Sequence, residues 1–131
     1  MRTAAALYVK DLDRMQAFYT GCLGLELAER NRDYAVLPSE HWELALVAVP
    51  AKVAARIRLT DPPTRREEVP VKLGFVVDSI EATRPVLQGL GGLVNDPAKE
   101  WEFRGMRRCD AVDPEGNVIQ LLEAAGESAT G

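Results

Sequence analysis

Residues 109–123 read CDAVDPEGNVIQLLE, and this stretch decides how the rest of the chain is arranged. Its centre, residues 113–117, combines a proline with fixed φ, a glycine that tolerates positive φ, and acidic or amide side chains that bond to their own backbone. Together these residues predict a tight turn between two strands. The strand after the turn is almost continuously apolar, except for the amide of Gln120. Because burying an unbonded amide costs free energy, Gln120 calls for a functional or a hydrogen-bonding explanation.

The composition is typical of one ordinary globular domain. A chain of 131 residues is long enough for one domain, or for two small modules that share a core. A net charge of -4 gives no general attraction to nucleic acid or anionic membranes, so neither is expected as a partner. No apolar run before Lys10 is long enough for a secretory signal or a membrane span. This favours a cytoplasmic location, in which Cys22 and Cys109 stay reduced structural thiols.

The first half of the chain predicts a strand, a helix and three further strands. Residues 3–9 are apolar and short, which is typical of a strand, and Asp11 stands where a helix N-cap belongs. Apolar residues then recur at helical spacing until Gly21. The three further strands are predicted at residues 25–32, 34–37 and 42–49.

The second half repeats this plan. A short apolar strand at residues 71–77 is again followed by an N-cap, Ser79, and by helical spacing that stops at glycines. One shift of the sequence superposes the two helices, with Leu12 on Ile80. A larger shift superposes the last strands, with Glu43 on Gln120, because the second module has a longer hairpin.

The predicted fold class is therefore α+β, with two tandem βαβββ modules that form a curved mixed-sheet cup with the helices outside. The modules are expected at residues 1–50 and 70–125, within a single domain that spans residues 1–125. Prolines and clustered charges make residues 51–69 a solvated connector. The polar residues 126–131 are predicted to form a flexible tail.

Two segments carry a resemblance to a known family. The opening segment VKDLDRMQAFYTGCLGLEL and the closing segment DPEGNVIQLLE, together with the internal repeat, resemble the vicinal oxygen chelate superfamily. That superfamily includes glyoxalase I, extradiol dioxygenases, fosfomycin-resistance proteins and bleomycin-resistance binding proteins. The resemblance covers nearly the whole chain and implies the cup fold, a small-molecule ligand and, in many members, a homodimer. It does not select one activity, because one fold can carry unrelated chemistries.

The resemblance also implies four positions for metal ligands, on the first and fourth strands of each module. These positions hold Ala4, Glu43, Lys72 and Gln120 in this chain. A divalent ion needs several oxygen or nitrogen lone pairs, which alanine lacks and a lysine ammonium does not offer. We therefore expect no bound metal and no other cofactor.

A cation from the protein is one replacement for the missing ion. The Lys72 ammonium is expected between the Glu43 carboxylate and the Gln120 carbonyl oxygen. In the alternative, Lys72 extends out of the cup to solvent and Glu43 is solvated.

Strand alternation predicts which side chains line the cup, because residues two apart share a face. Most of the predicted lining is small or apolar, which favours an open pocket for a small amphiphilic molecule, although residues of the connector or hairpin are an alternative filling. Trp42 is expected in the core, and His41 at a strand edge is expected on the surface. The predicted lining is Ala4, Ala6, Tyr8, Glu43, Ala45, Val47, Lys72, Gly74, Val76, Val118, Gln120 and Leu122. The predicted ligand contacts are Tyr8, Glu43, Lys72 and Gln120, with Trp101, Phe103 and Arg104 at the rim.

Three functions are compatible with these residues. The first is a metal-free protein that binds a small organic molecule, as the bleomycin-resistance branch does. The second is an enzyme, a glyoxalase-type lyase, dioxygenase or epimerase, in which Glu43 holds a weak metal or works with Lys72 in acid–base catalysis. The third is a ligand-sensing or partner-binding module. Exposed strand edges and the resemblance both favour a homodimer.

Overall fold

A computed structural model describes residues 3–124, which form two mixed sheets with helices packed on them. The first sheet has the strand order β1-β4-β3-β2, with β1 parallel to β4. Its elements are β1 (Thr3–Val9), α1 (Leu12–Cys22), β2 (Glu29–Arg30), β3 (Tyr34–Pro38) and β4 (Trp42–Ala48). The predicted α+β class with two modules is confirmed, and the second sheet has five strands where four were predicted.

The second sheet has the order β5-β9-β8-β6, and β7 also pairs with β8. β5 runs parallel to β9, as β1 does to β4. A four-residue helix, α2 (Ala51–Ala54), lies in the connector. The elements of the second module are β5 (Leu73–Val76), α3 (Ile80–Gly89), β6 (Leu93–Val94), a 3-10 turn (Pro97–Lys99), β7 (Trp101–Phe103), β8 (Met106–Val112) and β9 (Val118–Ala124).

Both long helices are capped by the predicted residues, which directly precede them. The Asp11 side chain accepts a hydrogen bond from the backbone N–H of Arg14, and the Ser79 side chain accepts one from Ala82, each at 3.0 Å. These caps satisfy N–H groups that have no partner within the helix. α1 packs on β3 and β4, and α3 packs on β6 and β9. Among residues 3–124, no helix is long and apolar enough to cross a membrane.

Two predicted strands are shorter than expected. The strand predicted at residues 25–32 contains only Glu29–Arg30, whose partners on β3 are Val36 and Ala35. The strand predicted at residues 71–77 is reduced to Leu73–Val76. The tail predicted at residues 126–131 lies outside the described residues.

The two modules share one hydrophobic core. The Phe75 ring from the second module lies 5.6 Å from the Tyr19 ring and 5.7 Å from the Trp42 ring, both from the first module. Aromatic rings at these separations add to the stabilisation that burial provides. Trp42 is half-buried against this core, as its place on the strand predicted. The modules therefore pack against each other within one chain.

The turn at residues 113–117 fastens the second module to the first. The Glu115 carboxylate accepts backbone hydrogen bonds from Lys10 at 2.8 and 2.9 Å and from Asp11 at 2.7 Å. The buried Asp113 carboxylate accepts a hydrogen bond of 2.7 Å from the Tyr19 hydroxyl. We call these contacts of Asp113 and Glu115 the clasp. The decisive sequence stretch therefore joins the first helix to the last strand.

Candidate functional site

Side chains that point away from the helices form the cup face of the two sheets. The predicted alternation is confirmed, because Tyr8 and Val76 on this face are 67% and 70% exposed, while Leu44 and Leu121 on the opposite face are 0% exposed. Along β1, exposed Ala4 and Ala6 alternate in the same way with half-buried Ala5 and Leu7. The small residues of the cup face therefore lie open on the sheet surface instead of packing in the core.

The strand register pairs two of the four expected ligand positions with each other, but not the other two. Ala4 lies opposite Glu43 in the parallel pair of the first sheet. In the second sheet the residue opposite Gln120 is Gly74. Gly74 is therefore the register counterpart of Ala4, and Lys72 lies two residues earlier, before β5 begins. The internal repeat in the sequence does not keep its spacing at this strand.

Lys72 does not make the predicted ion pair with Glu43. Its ammonium instead lies 3.0 Å from both carboxylate oxygens of Asp110. Asp110 sits on β8 directly opposite Gln120, so it belongs to the sheet that Lys72 adjoins, while Glu43 belongs to the other sheet. The Lys72 side chain is 39% exposed and the Asp110 side chain only 14%. The alternative, in which Lys72 extends out of the cup to solvent, is met only in part, because the side chain is 39% exposed but its ammonium has a carboxylate partner.

Gln120 has a hydrogen-bonding partner that the sequence did not suggest. Its side-chain oxygen accepts a bond of 2.9 Å from the Arg108 guanidinium. Arg108 also lies with its guanidinium carbon 5.2 Å from the centre of the Phe103 ring. Arg108 and Asp110 are two residues apart on β8. Strand alternation could therefore have predicted from the sequence that their side chains lie on the same face.

The rim residues occupy the hairpin of the second module. Trp101 and Phe103 are 38% and 57% exposed, and Phe103 is the one brought against Arg108. Arg104 adopts a positive φ of 53° at the hairpin turn, where it is followed by Gly105 at 75°. Such a pair matches the strand twist of a tight hairpin, although it is costly for a residue other than glycine.

The remaining candidates lie on the first module. Tyr8 and Glu43 are on the first sheet, one at each end of the β1–β4 pair. The structure does not bring Glu43 and Lys72 into an ion pair, so their predicted acid–base partnership has no contact to support it. His41 has an 81% exposed side chain beside Glu40, in agreement with the expected surface position.

Two neighbouring cavities lie where the modules meet. One of about 280 Å³ is lined by Ala6 of the first module, by Ile119 of the second, and by Val69, Val71 and Val118. The other, of about 330 Å³, contains the latter three residues together with Lys72, Asp110 and Arg65. The connector thus borders both spaces without filling them. A mainly apolar cavity beside charged groups suits a small amphiphilic molecule.

The donor set at the expected metal positions does not fit a divalent ion. Ala4 offers a methyl group, the Lys72 ammonium is bonded to Asp110, and the Gln120 oxygen already accepts from Arg108, so Glu43 supplies the one carboxylate among the four positions. Within residues 3–124 no three His, Cys, Asp or Glu side chains are grouped closely enough to hold a metal ion. A divalent ion requires several converging lone pairs, and these residues do not supply them.

The buried ionisable groups with shifted pKa belong to the clasp and the core. Burial raises the pKa of Asp113 and of Glu115, against the opposing effect of the hydrogen bonds they accept. Burial also raises the pKa of Tyr19 well above its ordinary value and that of Cys22 to about 12. A thiol with so high a pKa is inert at neutral pH, which is consistent with the structural role expected for Cys22.

Comparisons with known proteins agree with this geometry. The family model of the Glyoxalase/Bleomycin resistance protein/Dioxygenase superfamily matches residues 3–121. Among solved structures, a family enzyme from Burkholderia phytofirmans PsJN aligns with a TM-score of 0.70 and 20% identity, over 93% of this chain and 97% of that one. A glyoxalase/bleomycin resistance protein from Albidiferax ferrireducens T118 gives 0.65 and 22%, over 92% and 96%.

A more distant structure has the same fold. A genomically encoded fosfomycin resistance protein from Listeria monocytogenes aligns with a TM-score of 0.65 and 14% identity, over 97% of this chain and 95% of that one. No curated protein sequence matches the chain. Identities this low establish a common fold and leave the ligand open.

Proposed function

Since the chain belongs to the Glyoxalase/Bleomycin resistance protein/Dioxygenase superfamily, we propose that it binds a small organic ligand in its cup without holding a divalent metal ion. The observation that carries the proposal is the apolar cavity of about 280 Å³ between the modules. Ala6 and Val118 border it from the predicted cup lining, and it continues toward Lys72 and Asp110 through shared lining residues. Cavities near this size with few polar groups are typical of small-molecule sites.

The donor chemistry supports the metal-free part of the proposal. In this chain the four expected positions hold a methyl group at Ala4, a carboxylate at Glu43, an ammonium at Lys72 that is paired with Asp110, and an amide at Gln120 that is bonded to Arg108. One carboxylate and one amide are too few ligands for a divalent ion, and Arg108 places a positive charge beside the amide. We therefore assign these positions to recognition of an organic molecule. Tyr8, Glu43, Lys72, Gln120, Trp101, Phe103 and Arg104 stay predicted as its contacts.

A homodimer is part of the same proposal. Among the described residues, β1 pairs only with β4 and β5 pairs only with β9, so one edge of each strand has no strand beside it. Unpaired strand edges are often covered by a second chain. The expected cytoplasmic location likewise stays a prediction.

The direct test is a thermal-shift screen of metabolites and antibiotics, combined with metal analysis of the purified protein. A ligand present at one hundred times its Kd raises the free energy of unfolding by about 2.7 kcal/mol, which gives a rise of several degrees in Tm. Ala6→Trp fills the cavity between the modules and should abolish the rise. Ala98→Trp, at an exposed position on the 3-10 turn, is the matched control and should retain it.

Two outcomes would contradict the proposal. One is a tightly held transition-metal ion at near one per chain after purification without added metal. The other is a ligand whose effect on Tm is unchanged in Ala6→Trp, which would place its site elsewhere.

A further inference from the structure

One row of side chains on the second sheet places a single cation among apolar groups. Val76 on β5 lies opposite Leu122 on β9, Leu122 lies opposite Arg108 on β8, and Arg108 lies opposite Trp101 on β7. Directly opposite residues in a sheet point to the same face. We call these four residues the Arg108 row. Its two outer members are well exposed, Val76 at 70% and Trp101 at 38%.

Arg108 is held in one orientation by its neighbours. One terminal nitrogen of its guanidinium donates to the Gln120 side-chain oxygen at 2.9 Å, and its Nε donates to the Phe103 carbonyl oxygen at 3.3 Å. The Phe103 ring covers the guanidinium at 5.2 Å. These contacts leave the other terminal nitrogen without a protein acceptor among the described residues. A guanidinium fixed in this way loses little conformational freedom when it binds an anion.

No carboxylate neutralises Arg108 within the described part of the chain. The one carboxylate on the same face of β8, Asp110, is engaged by Lys72 at 3.0 Å and by Arg65 at 3.6 Å. Arg107, next along β8 and on the opposite face, does have acidic neighbours, Glu100 at 3.9 Å and Glu123 at 4.0 Å. Among the described residues Arg108 is therefore a cation without an ion-pair partner, in a protein whose net charge is -4.

We propose that Arg108 binds the oxyanion of a small organic acid whose flat apolar body lies over Val76, Leu122 and Trp101. The inference goes beyond the proposed function, because no residue of the Arg108 row lines either cavity between the modules. Asp110, two residues from Arg108 on the same face of β8, borders the nearer cavity. The remaining terminal nitrogen of Arg108 carries two N–H donors for a carboxylate or a phosphonate. Apolar neighbours strengthen such a pair by lowering the local dielectric constant. The exposed apolar members of the row supply the surface for the body of the acid.

Titration of the full chain with matched probes tests this assignment. Benzoate carries a planar oxyanion, phenylphosphonate carries a tetrahedral one, and benzamide is the neutral isostere of benzoate. Trp101 lies in the row, so tryptophan fluorescence reports binding and thermal shift gives an independent measurement. We expect benzoate or phenylphosphonate to bind at least about tenfold more tightly than benzamide, and the preferred anion identifies the geometry of the natural acid group. The preference should weaken as salt concentration rises.

Variants at two adjacent arginines separate the recognition of charge from folding. Arg108→Gln should weaken binding of the preferred anion by about tenfold or more while leaving benzamide unchanged. Arg108→Lys keeps the charge without the paired donors and should lie between wild type and Arg108→Gln. Arg107→Gln, on the other face of the same strand, is the control and should bind all probes as wild type does. If Arg108→Gln fails to fold, the Arg108→Lys comparison carries the test.

The inference is overturned if benzamide binds as tightly as both anions, if neither anion binds at millimolar concentration, or if Arg107→Gln loses as much affinity as the Arg108 variants. In each case the proposed function is judged separately, by whether Ala6→Trp removes ligand stabilisation in the metabolite screen. Neutral ligands that bind wild type and not Ala6→Trp would leave the cup as a binding site and remove its anion preference.

Discussion

Truncating Glu115 should destabilise the whole domain, because one carboxylate holds the start of α1 from across the molecule. Glu115 is only 3% exposed. Its carboxylate accepts hydrogen bonds from the backbone N–H groups of Lys10 and Asp11 at 2.7 to 2.9 Å. Glu115→Ala leaves both N–H donors without their acceptor. Hydrogen bonds to a charged group contribute about 1.5–3 kcal/mol each, so two donors set an upper range of about 3–6 kcal/mol.

Two effects reduce that figure. Burial raises the pKa of Glu115, which means that desolvation of the carboxylate offsets part of its bonding. Lys10 and Asp11 are exposed residues, so water reaches their N–H groups once the carboxylate is gone. We therefore expect Glu115→Ala to lower the free energy of unfolding by about 2–3 kcal/mol. For a domain of this size, that loss lowers Tm by roughly 6–12 °C.

Thermal and urea unfolding monitored by circular dichroism measure this effect. Glu115→Gln keeps an acceptor oxygen and should lose about half as much or less. Glu26→Ala removes an exposed carboxylate and should change Tm by no more than about 1–2 °C, because surface substitutions usually have small effects. A Tm for Glu115→Ala equal to that of Glu26→Ala would refute the role assigned to the clasp.

Three further predictions concern the turns and the buried acid. Because burial raises the pKa of Asp113, its contribution to stability is complete below the unfolded pKa of about 3.9 and is lost as pH rises through the folded value. The stability difference between wild type and Asp113→Asn, measured by urea unfolding at stepped pH, should therefore fall as pH rises, and a difference that grows would contradict this. Arg104→Asn should raise stability by about 0.5–1 kcal/mol in the same assay, because asparagine tolerates the positive φ of 53° better than arginine; an unchanged midpoint would count against strain at this turn. Gly105→Ala should cost about 1–2 kcal/mol for its positive φ alone. Gly116→Ala should cost about 3 kcal/mol or more, since its new Cβ would also lie 2.2 Å from the Thr64 carbonyl oxygen, and equal losses would show that this contact relaxes.

Local chemistry made much of the fold predictable. Asp11 and Ser79 stand three residues before the N–H groups that they cap, so the helix starts followed from spacing alone. Strand alternation separated exposed Tyr8 from buried Leu44 because it needs no knowledge of the neighbouring strand. The turn at residues 113–117 was likewise predicted from its own residues.

The predictions that failed depended on the register between strands. Lys72 was assigned to Glu43 by extending the internal repeat, but the β5–β9 register puts Gly74 beside Gln120 and leaves Lys72 within reach of Asp110. The Arg108 to Gln120 bond depends on the same register, between residues separated by a tight turn. A repeat in the sequence fixes which elements occur, whereas a displacement of two residues preserves every facing pattern and changes every neighbour.

The clasp also has a consequence for synthesis of the chain. The ribosome releases the first module long before Asp113 and Glu115, yet those two carboxylates are what the Tyr19 hydroxyl and the backbone of Lys10 and Asp11 bond to. When the amino-terminal half leaves the exit tunnel, the backbone N–H groups of Lys10 and Asp11 and the Tyr19 hydroxyl therefore still lack their hydrogen-bond acceptors. Full closure of that half is tied to emergence of residues 113–124, so the two modules should mature together instead of one after the other.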